Sequence, residues 1–539
     1  MAVAVADAHL EVAEEDNFFQ FYINYSKALI KYHKMKKLIS TLFLGLIINF
    51  SYSQEINEAL QFAQPNFTGT ARFSGAGGAF GALGGDFSAI NINPAGSSVF
   101  NYNQSSVTFS NSNLKNKTNY FGSKNIDSDN TFDINQVGAV WIFNNDDNKS
   151  NWKKIALAVN YENANNFNNF YYSSGNNPTN SGANYFTSYA NQNGGIALST
   201  LENGFYDELN FEDQQAFLGY QAFIINPASN NANNKVYTSN VPAGGNYFQE
   251  NRLSSSGYNG KLIFNGSAQY KDFLYIGMSL NSHFSDYRKN TVFRESNQNS
   301  TTNGLKSMQF ENELHTYGNG FSFQLGAIAK ITKSFRAGLS YESPTWTRLN
   351  DELNQNLNTS GYNFGTPPNP NLSNRNPDSN FTVVYNVYSL RTPGKFSGSL
   401  AYVFNKSGFL SFDYAIKDYS NIKYGTQNDF RNPDVNAQIA NLLTTTNAFR
   451  AGGEYKIKQF CLRGGYAYED SPYKNKKIIG ETNSYSGGLG YNFETVKIDL
   501  SYTLSRRNSQ KTLLNVGLPD FSTISSRNDN VALTLVFNL

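Results

Sequence analysis

"VKIDLSYTL", Val496 to Leu504, alternates without a fault. Val496, Ile498, Leu500, Tyr502 and Leu504 take one face, and Lys497, Asp499, Ser501 and Thr503 the other. A period of two reads as a strand with one apolar and one wet face. "FLSFDYAIKDY", Phe409 to Tyr419, repeats it with Leu410, Phe412, Tyr414 and Ile416 against Ser411, Asp413, Ala415 and Lys417. "IALAVNY" does so with Ile155, Leu157, Val159 and Tyr161. Two folds satisfy this pattern. A soluble sandwich turns the apolar face to a core, whereas a transmembrane barrel turns it to lipid and the polar face to a lumen.

Connection lengths decide between them. Alternation gives about fourteen strands between residues 104 and 539. The gaps between them are tight at "NNDDNKSN", Lys271-Asp272, Thr332-Lys333-Ser334, "NKSG", "KIKQ" and Glu494-Thr495. They are long near 115–131, 166–257, 289–316, 348–384, 425–446, 471–483 and 507–528. Every second connection is short, as in an outer-membrane barrel with tight periplasmic turns and long external loops. The reading is therefore all-β, a transmembrane antiparallel β-barrel over residues 103–539 whose largest loop spans about 166–257. Composition agrees: 15% aromatic, 43 glycines, 16% charged and a mean hydropathy of -0.49, with a net charge of +2 that gives no reason to invoke nucleic acid.

The N-terminus carries one long apolar run, "KKLISTLFLGLIINFSYSQ". Lys36 and Lys37, the apolar stretch Leu38–Phe50 and the small-x-small Ser51-Tyr52-Ser53 read as a signal peptide over 35–53. Mature chain is then expected to start near Gln54, and residues 1–34 read as a non-native N-terminal extension. The signal peptide places the barrel in the outer membrane of a Gram-negative bacterium. The single cysteine, Cys461, excludes an intramolecular disulfide, and with only His283 and His315 beyond the signal no metal site or other cofactor is expected. His283 and Ser285 are the one conceivable seed of catalysis, too little for an enzyme, so no catalytic residue is assigned.

Between signal and first strand lies "RFSGAGGAFGALGGDFSAININPAG", Arg72 to Gly96. Its glycines would break a helix or a strand, yet Phe73, Phe80, Phe87, Ile90 and Ile92 do not belong in a linker. A fourteen-stranded barrel is too wide for its own side chains to fill. Residues 54–102 therefore read as a plug that bends tightly against the wall on glycine and buries its phenylalanines. Phe73, Phe80, Phe87, Asn93, Pro94 and Ala95 are its candidate ligand-lining residues. In the third strand, alternation dissolves at "ENANNFNNF", Glu162 to Phe170. Either the strand runs out above the bilayer or the ladder is broken there, which makes Glu162, Asn163, Asn165 and Asn166 candidates for a lateral opening.

"FTGTARFSGAGGAFGALGGDFSAININPAG" resembles the N-terminal hatch of the FadL-type outer-membrane transporters of long-chain fatty acids and other hydrophobic compounds. Asn93-Pro94-Ala95 matches that family's Asn-Pro-Ala motif, and "RAGLSYESPTW", "PGKFSGSLAYVF", "FLSFDYAIKDYSNIKY" and "LRGGYAYEDSPY" match in order. The resemblance implies fourteen strands, a plug, passive uptake of hydrophobic small molecules and a kinked third strand that opens sideways into the membrane lipid. Fatty acid, aromatic hydrocarbon and haem stay open as ligands. "VALTLVFNL", Val531 to Leu539, resembles the terminal strand read by the barrel assembly machinery, ending in Leu rather than Phe. The chain is expected to act as a monomer. The alternative is a structural or secretion-associated barrel that binds a partner protein through its loops. Inward charges at Arg336, Glu342, Asp413, Lys417, Arg450, Glu454, Arg463 and Glu469 would pair across neighbouring strands or hold a carboxylate. Helical patterns in Gly194–Phe223 and Asn432–Leu443 would cap the mouth or pack the loops on themselves.

Overall fold

The computed structural model describes residues 53–539 except 65, 148, 300–303, 363–371, 376–380, 406 and 426–434. Residues 1–52, holding the expected extension and all but the last residue of the expected signal, lie outside the described residues. So does the start of the Asn432–Leu443 pattern.

Fourteen antiparallel strands close a barrel. They are β1 (Gln104–Tyr120), β2 (Ser123–Asn144), β3 (Trp152–Asn166), β4 (Tyr247–Tyr270), β5 (Leu274–Ser296), β6 (Gly304–Lys330) and β7 (Phe335–Glu342), then β8 (Lys395–Val403), β9 (Gly408–Asp418), β10 (Thr445–Ile457), β11 (Phe460–Glu469), β12 (Thr482–Asn492), β13 (Val496–Thr512) and β14 (Phe521–Asn538). Closure is made by β14 on β1, in register from Gln104 opposite Asn538 to Asn119 opposite Thr523. The alternation resolves as the barrel solution. Leu410 and Phe412 are 58% and 45% exposed on the outside, while Ser411 and Asp413 between them are 7% and 5% exposed. Outward apolar and inward polar is the reverse of a soluble sandwich.

Short turns at one end use left-handed residues, with φ of 47° at Lys271, 56° at Lys458 and 74° at Glu494. At the other end the structure departs from the expected long loops. Much of 115–131, 289–316 and 507–528 is strand, and β1 turns into β2 through Phe121 and Gly122 alone (φ 45° and 88°). The sheet climbs beyond the apolar band, where Asn111, Asn113, Lys115 and Lys117 replace apolar residues on the outer face. Ladder hydrogen bonds persist there without an apolar face, so the alternation signal vanishes while the strand does not.

The expected loop at 166–257 holds a strand segment, Asn169–Asn177, and helices α2 (Ala183–Asn191) and α3 (Phe211–Gln221). Phe186 and Leu218 on these helices and Leu201 between them share one core with Phe310, Leu357 and Leu513 from strands and loop at the barrel mouth. A second mouth cluster joins Ile56 and Leu60 of helix α1 (Ser53–Ala63) to Tyr419, Ile439 and Tyr473.

Residues 71–99 lie inside the barrel and touch its wall on several sides. The Ala71 amide donates to Thr534 Oγ1 on β14 (2.7 Å), the Gly77 amide to Ser486 Oγ on β12 (3.1 Å) and the Gly81 amide to Asp413 Oδ2 on β9 (2.9 Å). Glycine is needed on both partners of this contact. Gly77 adopts φ +66° against Gly465 of β11, where an added Cβ would fall 2.1 Å from the Gly77 nitrogen. On β10 a Cβ at Gly452 would fall 1.9 Å from the Ala76 carbonyl oxygen. Backbone packs directly on backbone here, which no side chain permits.

Candidate functional site

Above this plug the lumen holds a cavity of 420 Å³. Its apolar surface comes from Phe62, Phe67, Ile92, Phe167, Tyr171 and Ile524. Phe62, Phe167 and Tyr287 form an edge-to-face cluster, with ring centroids 5.0 to 6.4 Å apart. Cations stand beside these rings. The Arg450 guanidinium lies 5.5 Å from the Phe67 ring centre, and the Lys511 ammonium 5.5 Å from that of Tyr171. Lys417 Nζ donates to the Ala63 carbonyl at 2.6 Å, tying the end of α1 to the wall. The cavity thus pairs aromatic surface with charge of both signs, since Asp133, Asp413 and Glu469 line it as well as Lys417, Arg450 and Lys511.

Phe73, Phe80 and Phe87 do not line it, a correction to the expectation from sequence. They are 3%, 0% and 2% exposed and pack between plug and wall, Phe80 on Phe409 (5.5 Å) and Phe87 on Phe100 (5.2 Å). Glycine-enabled contact brings plug and wall so close that these rings fill the joint, not the open side. Asn93, Pro94 and Ala95 belong to the joint too. The Asn93 side-chain amide donates to Gly81 O (2.8 Å) and Ala327 O (3.0 Å), and its Oδ1 accepts from the Ala95 amide at 3.2 Å. Pro94 opens the 3₁₀ turn Pro94–Val99, and Ala95 packs on Tyr275 and Ile328.

The inward charges are spent largely on the plug. Arg72 Nε and Arg463 Nε both donate to Glu454 Oε2, at 3.0 and 2.7 Å, and Arg463 Nη1 donates to Asp499 Oδ1 at 2.6 Å. Arg336 donates to the Leu83 carbonyl at 3.1 Å. Glu342 bridges Lys261 (2.8 Å) and Lys395 (2.9 Å), and Lys261 also donates to Asn91 Oδ1 at 2.7 Å. His283 and Ser285 make no dyad: His283 Nε2 meets Ser322 Oγ at 2.8 Å, and Ser285 donates to Asn259 at 3.1 Å. Among the described residues no group of three or more His, Cys, Asp and Glu side chains is disposed to hold a metal ion.

The ladder between β2 and β3 runs only from Asn144 opposite Lys154 to Gln136 opposite Glu162. Beyond it β3 carries a bulge between Asn163 and Asn165, and the chain resumes as Asn169–Asn177, paired to β4 alone. The carbonyls freed on β3 are taken by the plug's approach segment. Thr68 Oγ1 donates to Asn163 O (3.0 Å), the Asn66 amide to Ala164 O (2.9 Å) and Asn66 Nδ2 to Asn166 O (3.1 Å). No ladder crosses to β2 there, and side chains bridge instead, from Asn166 to Asp133, from Asn168 to Thr131 (2.9 Å) and, further along, from Asp127 to the Tyr172 amide (3.0 Å). Glu162 accepts from Asn91 Nδ2 at 2.8 Å, and Asn165 donates inward to Gln61 O and Gln64 O at 2.7 and 3.0 Å. The four candidate residues therefore meet at the end of the ladder, each bonded to the plug or to α1, and Asn165 and Asn166 reach the cavity.

Phe62 and Phe67 count in the sequence among the plug's aromatics without a sign that they face the cavity, and Arg72 and Tyr171 are not singled out there. Arg72 carried a usable signal, as the lone cation in a glycine-rich run.

A family model described as outer membrane protein transport protein (OMPP1/FadL/TodX) matches residues 228–531. Among solved structures, a Pseudomonas aeruginosa FadL homologue is similar at a TM-score of 0.51 and 12% identity, covering 88% of this chain and 99% of that one. The P. putida toluene transporter TodX gives 0.48 at 14% identity, covering 89% and 99%. No curated protein matches the chain.

Proposed function

The chain belongs to the outer membrane transport protein family of FadL and TodX, and from that premise we propose that it carries fatty-acid-like amphiphiles passively across the outer membrane. The ligand leaves sideways at the β2–β3 break. The observation that carries this reading is the cavity, where Phe67 and Tyr171 stand beside Arg450 and Lys511. An aliphatic chain needs the apolar surface, and a carboxylate needs a cation held where little water screens it. A neutral hydrocarbon has no use for the second. The break supports the sideways route, since its free edge is held by the plug and by side chains instead of a ladder.

Binding of a radiolabelled long-chain fatty acid and of toluene to purified protein tests the reading. Arg450→Gln with Lys511→Gln is expected to weaken fatty-acid binding about tenfold or more, as losing charge-assisted contacts does, and to leave toluene binding unchanged. Equal loss for both ligands would remove the carboxylate from the proposal. No binding of either would favour a barrel that engages a protein through its loops.

A further inference from the structure

The outer face carries a second charged feature. Above the apolar band, three neighbouring strands present cations in one row, and a fourth adds one further along, since β2 sets Ser128 opposite Lys115. Arg506 on β13 lies directly opposite Arg527 on β14, and Arg527 directly opposite Lys115 on β1. Lys117 stands two residues further along β1, and Lys124 on β2 is paired to Asn119. All five side chains point outward and are exposed, while the alternate residues Asn116, Thr118 and Ser522 are buried on the inner face. Adjacent strands are about 4.8 Å apart, so the three aligned cations span about 10 Å.

Like charges directly opposite each other on a sheet are destabilising. Asp529 is hydrogen-bonded to Arg527, accepting from its Nε and Nη2 at 2.8 Å each, and its charge also reaches Arg506. Among the described residues no carboxylate pairs with Arg506, Lys115, Lys117 or Lys124. With one carboxylate among five cations, this shelf keeps a net positive charge.

Its height indicates what covers it. Directly below is a mixed row, Leu504, Asp529, Asn113 and Asn130, and below that Tyr502, Val531, Asn111 and Phe132. Tyr502, Val531 and Phe132 are 44%, 44% and 68% exposed and begin the continuous apolar surface, above which Leu504 and Ile126 stand singly among polar residues. Four residues of strand separate this first apolar row from the cations. That is about 13 Å along the strand, or about 10 Å along the barrel axis at the usual tilt. A phospholipid headgroup layer is only about 6 Å deep. The shelf stands at the depth of a larger, sugar-borne phosphate.

We propose that Arg506, Arg527 and Lys115, flanked by Lys117 and Lys124, form a binding site for the phosphorylated glycolipid of the outer leaflet, with Tyr502 and Phe132 against its acyl chains.

The test uses the full barrel in detergent with bis-phosphorylated lipid A, its dephosphorylated form and excess inorganic phosphate as probes, read by native mass spectrometry. Wild type is expected to retain the phosphorylated lipid, to bind the dephosphorylated one at least tenfold more weakly, and to keep its lipid in the presence of phosphate. The triple variant Lys115→Gln/Arg506→Gln/Arg527→Gln is expected to lose at least tenfold in affinity. Lys149→Gln/Lys153→Gln/Lys333→Gln, at the opposite end of the barrel, is expected to lose nothing. If the triple variant fails to insert, Arg506→Gln alone is expected to cost about threefold. Equal binding of the two lipids, or no response to the shelf substitutions, would overturn the proposal. Displacement by inorganic phosphate would also overturn it, reducing the shelf to a simple anion site.

Discussion

At the residue scale, Glu454 ties the plug to the wall through a buried carboxylate. It accepts from Arg72 on the plug and from Arg463 on β11, and its own side chain is fully shielded. Breaking a buried pair from one partner is costly because the other charge stays behind. Glu454→Gln takes the carboxylate from Arg72, while Arg463 keeps Asp499, and is expected to destabilise the plug's seat by about 3 kcal/mol. Limited trypsin digestion of the folded barrel checks this, with cleavage after Arg72 appearing in the variant and absent from wild type. Cleavage at equal rates would mean that backbone contacts alone hold the plug. Asn93→Ala removes the donors to Gly81 O and Ala327 O. It is expected to act in the same direction and more weakly, since its lost bonds are between neutral groups.

At the scale of elements, two contacts carry function. The first is the meeting of β2, β3 and the plug. Asn165 points inward to α1, so a crosslink across the break belongs at Asn166 and Asp133, whose side chains touch. A disulfide from Asp133→Cys/Asn166→Cys is expected to abolish fatty-acid uptake into vesicles while leaving equilibrium binding intact, and reduction is expected to restore uptake. Undiminished uptake in the oxidised protein would place the exit elsewhere. The second contact is the glycine joint. A Cβ at Gly452 collides with plug backbone, not with the end of a flexible side chain. Gly452→Val is therefore expected to displace the plug and raise single-channel conductance in planar bilayers, although the substitution suits a strand.

At the scale of the whole molecule, the barrel closes through β14 on β1 without help from the plug. Deleting residues 54–96 is expected to leave an inserted barrel, because every ladder bond between strands survives. The interior of a fourteen-stranded barrel lined with small polar side chains then fills with water, as in wider porins. Conductance is expected to rise to a stable open level, and fatty-acid binding to weaken through loss of Phe62, Phe67 and Ile92. A closed channel with unaltered affinity would reduce the segment to a linker. The loops expected at the mouth divide between further strand and folded caps, and the core joining α2 and α3 to Phe310 and Leu513 makes them part of the same body.

By itself the sequence determined the barrel, the strand number and the presence of a plug. These rest on local, periodic information: alternation fixes which side chains share a face, spacing fixes which turns are tight, and glycine among phenylalanines requires close packing. The break in β3 was visible for the same reason, as lost alternation after Tyr161. Only the tertiary structure decided which way the plug's rings face, because Phe73 and Phe80 look alike in sequence whether they meet a ligand or Phe409. Only it decided the partners of the inward charges, since Arg72 and Glu454 are 382 residues apart and meet solely through barrel closure. It also decided where the strands end, because above the bilayer both faces are wet and the pattern that marks a strand has no physical cause to persist.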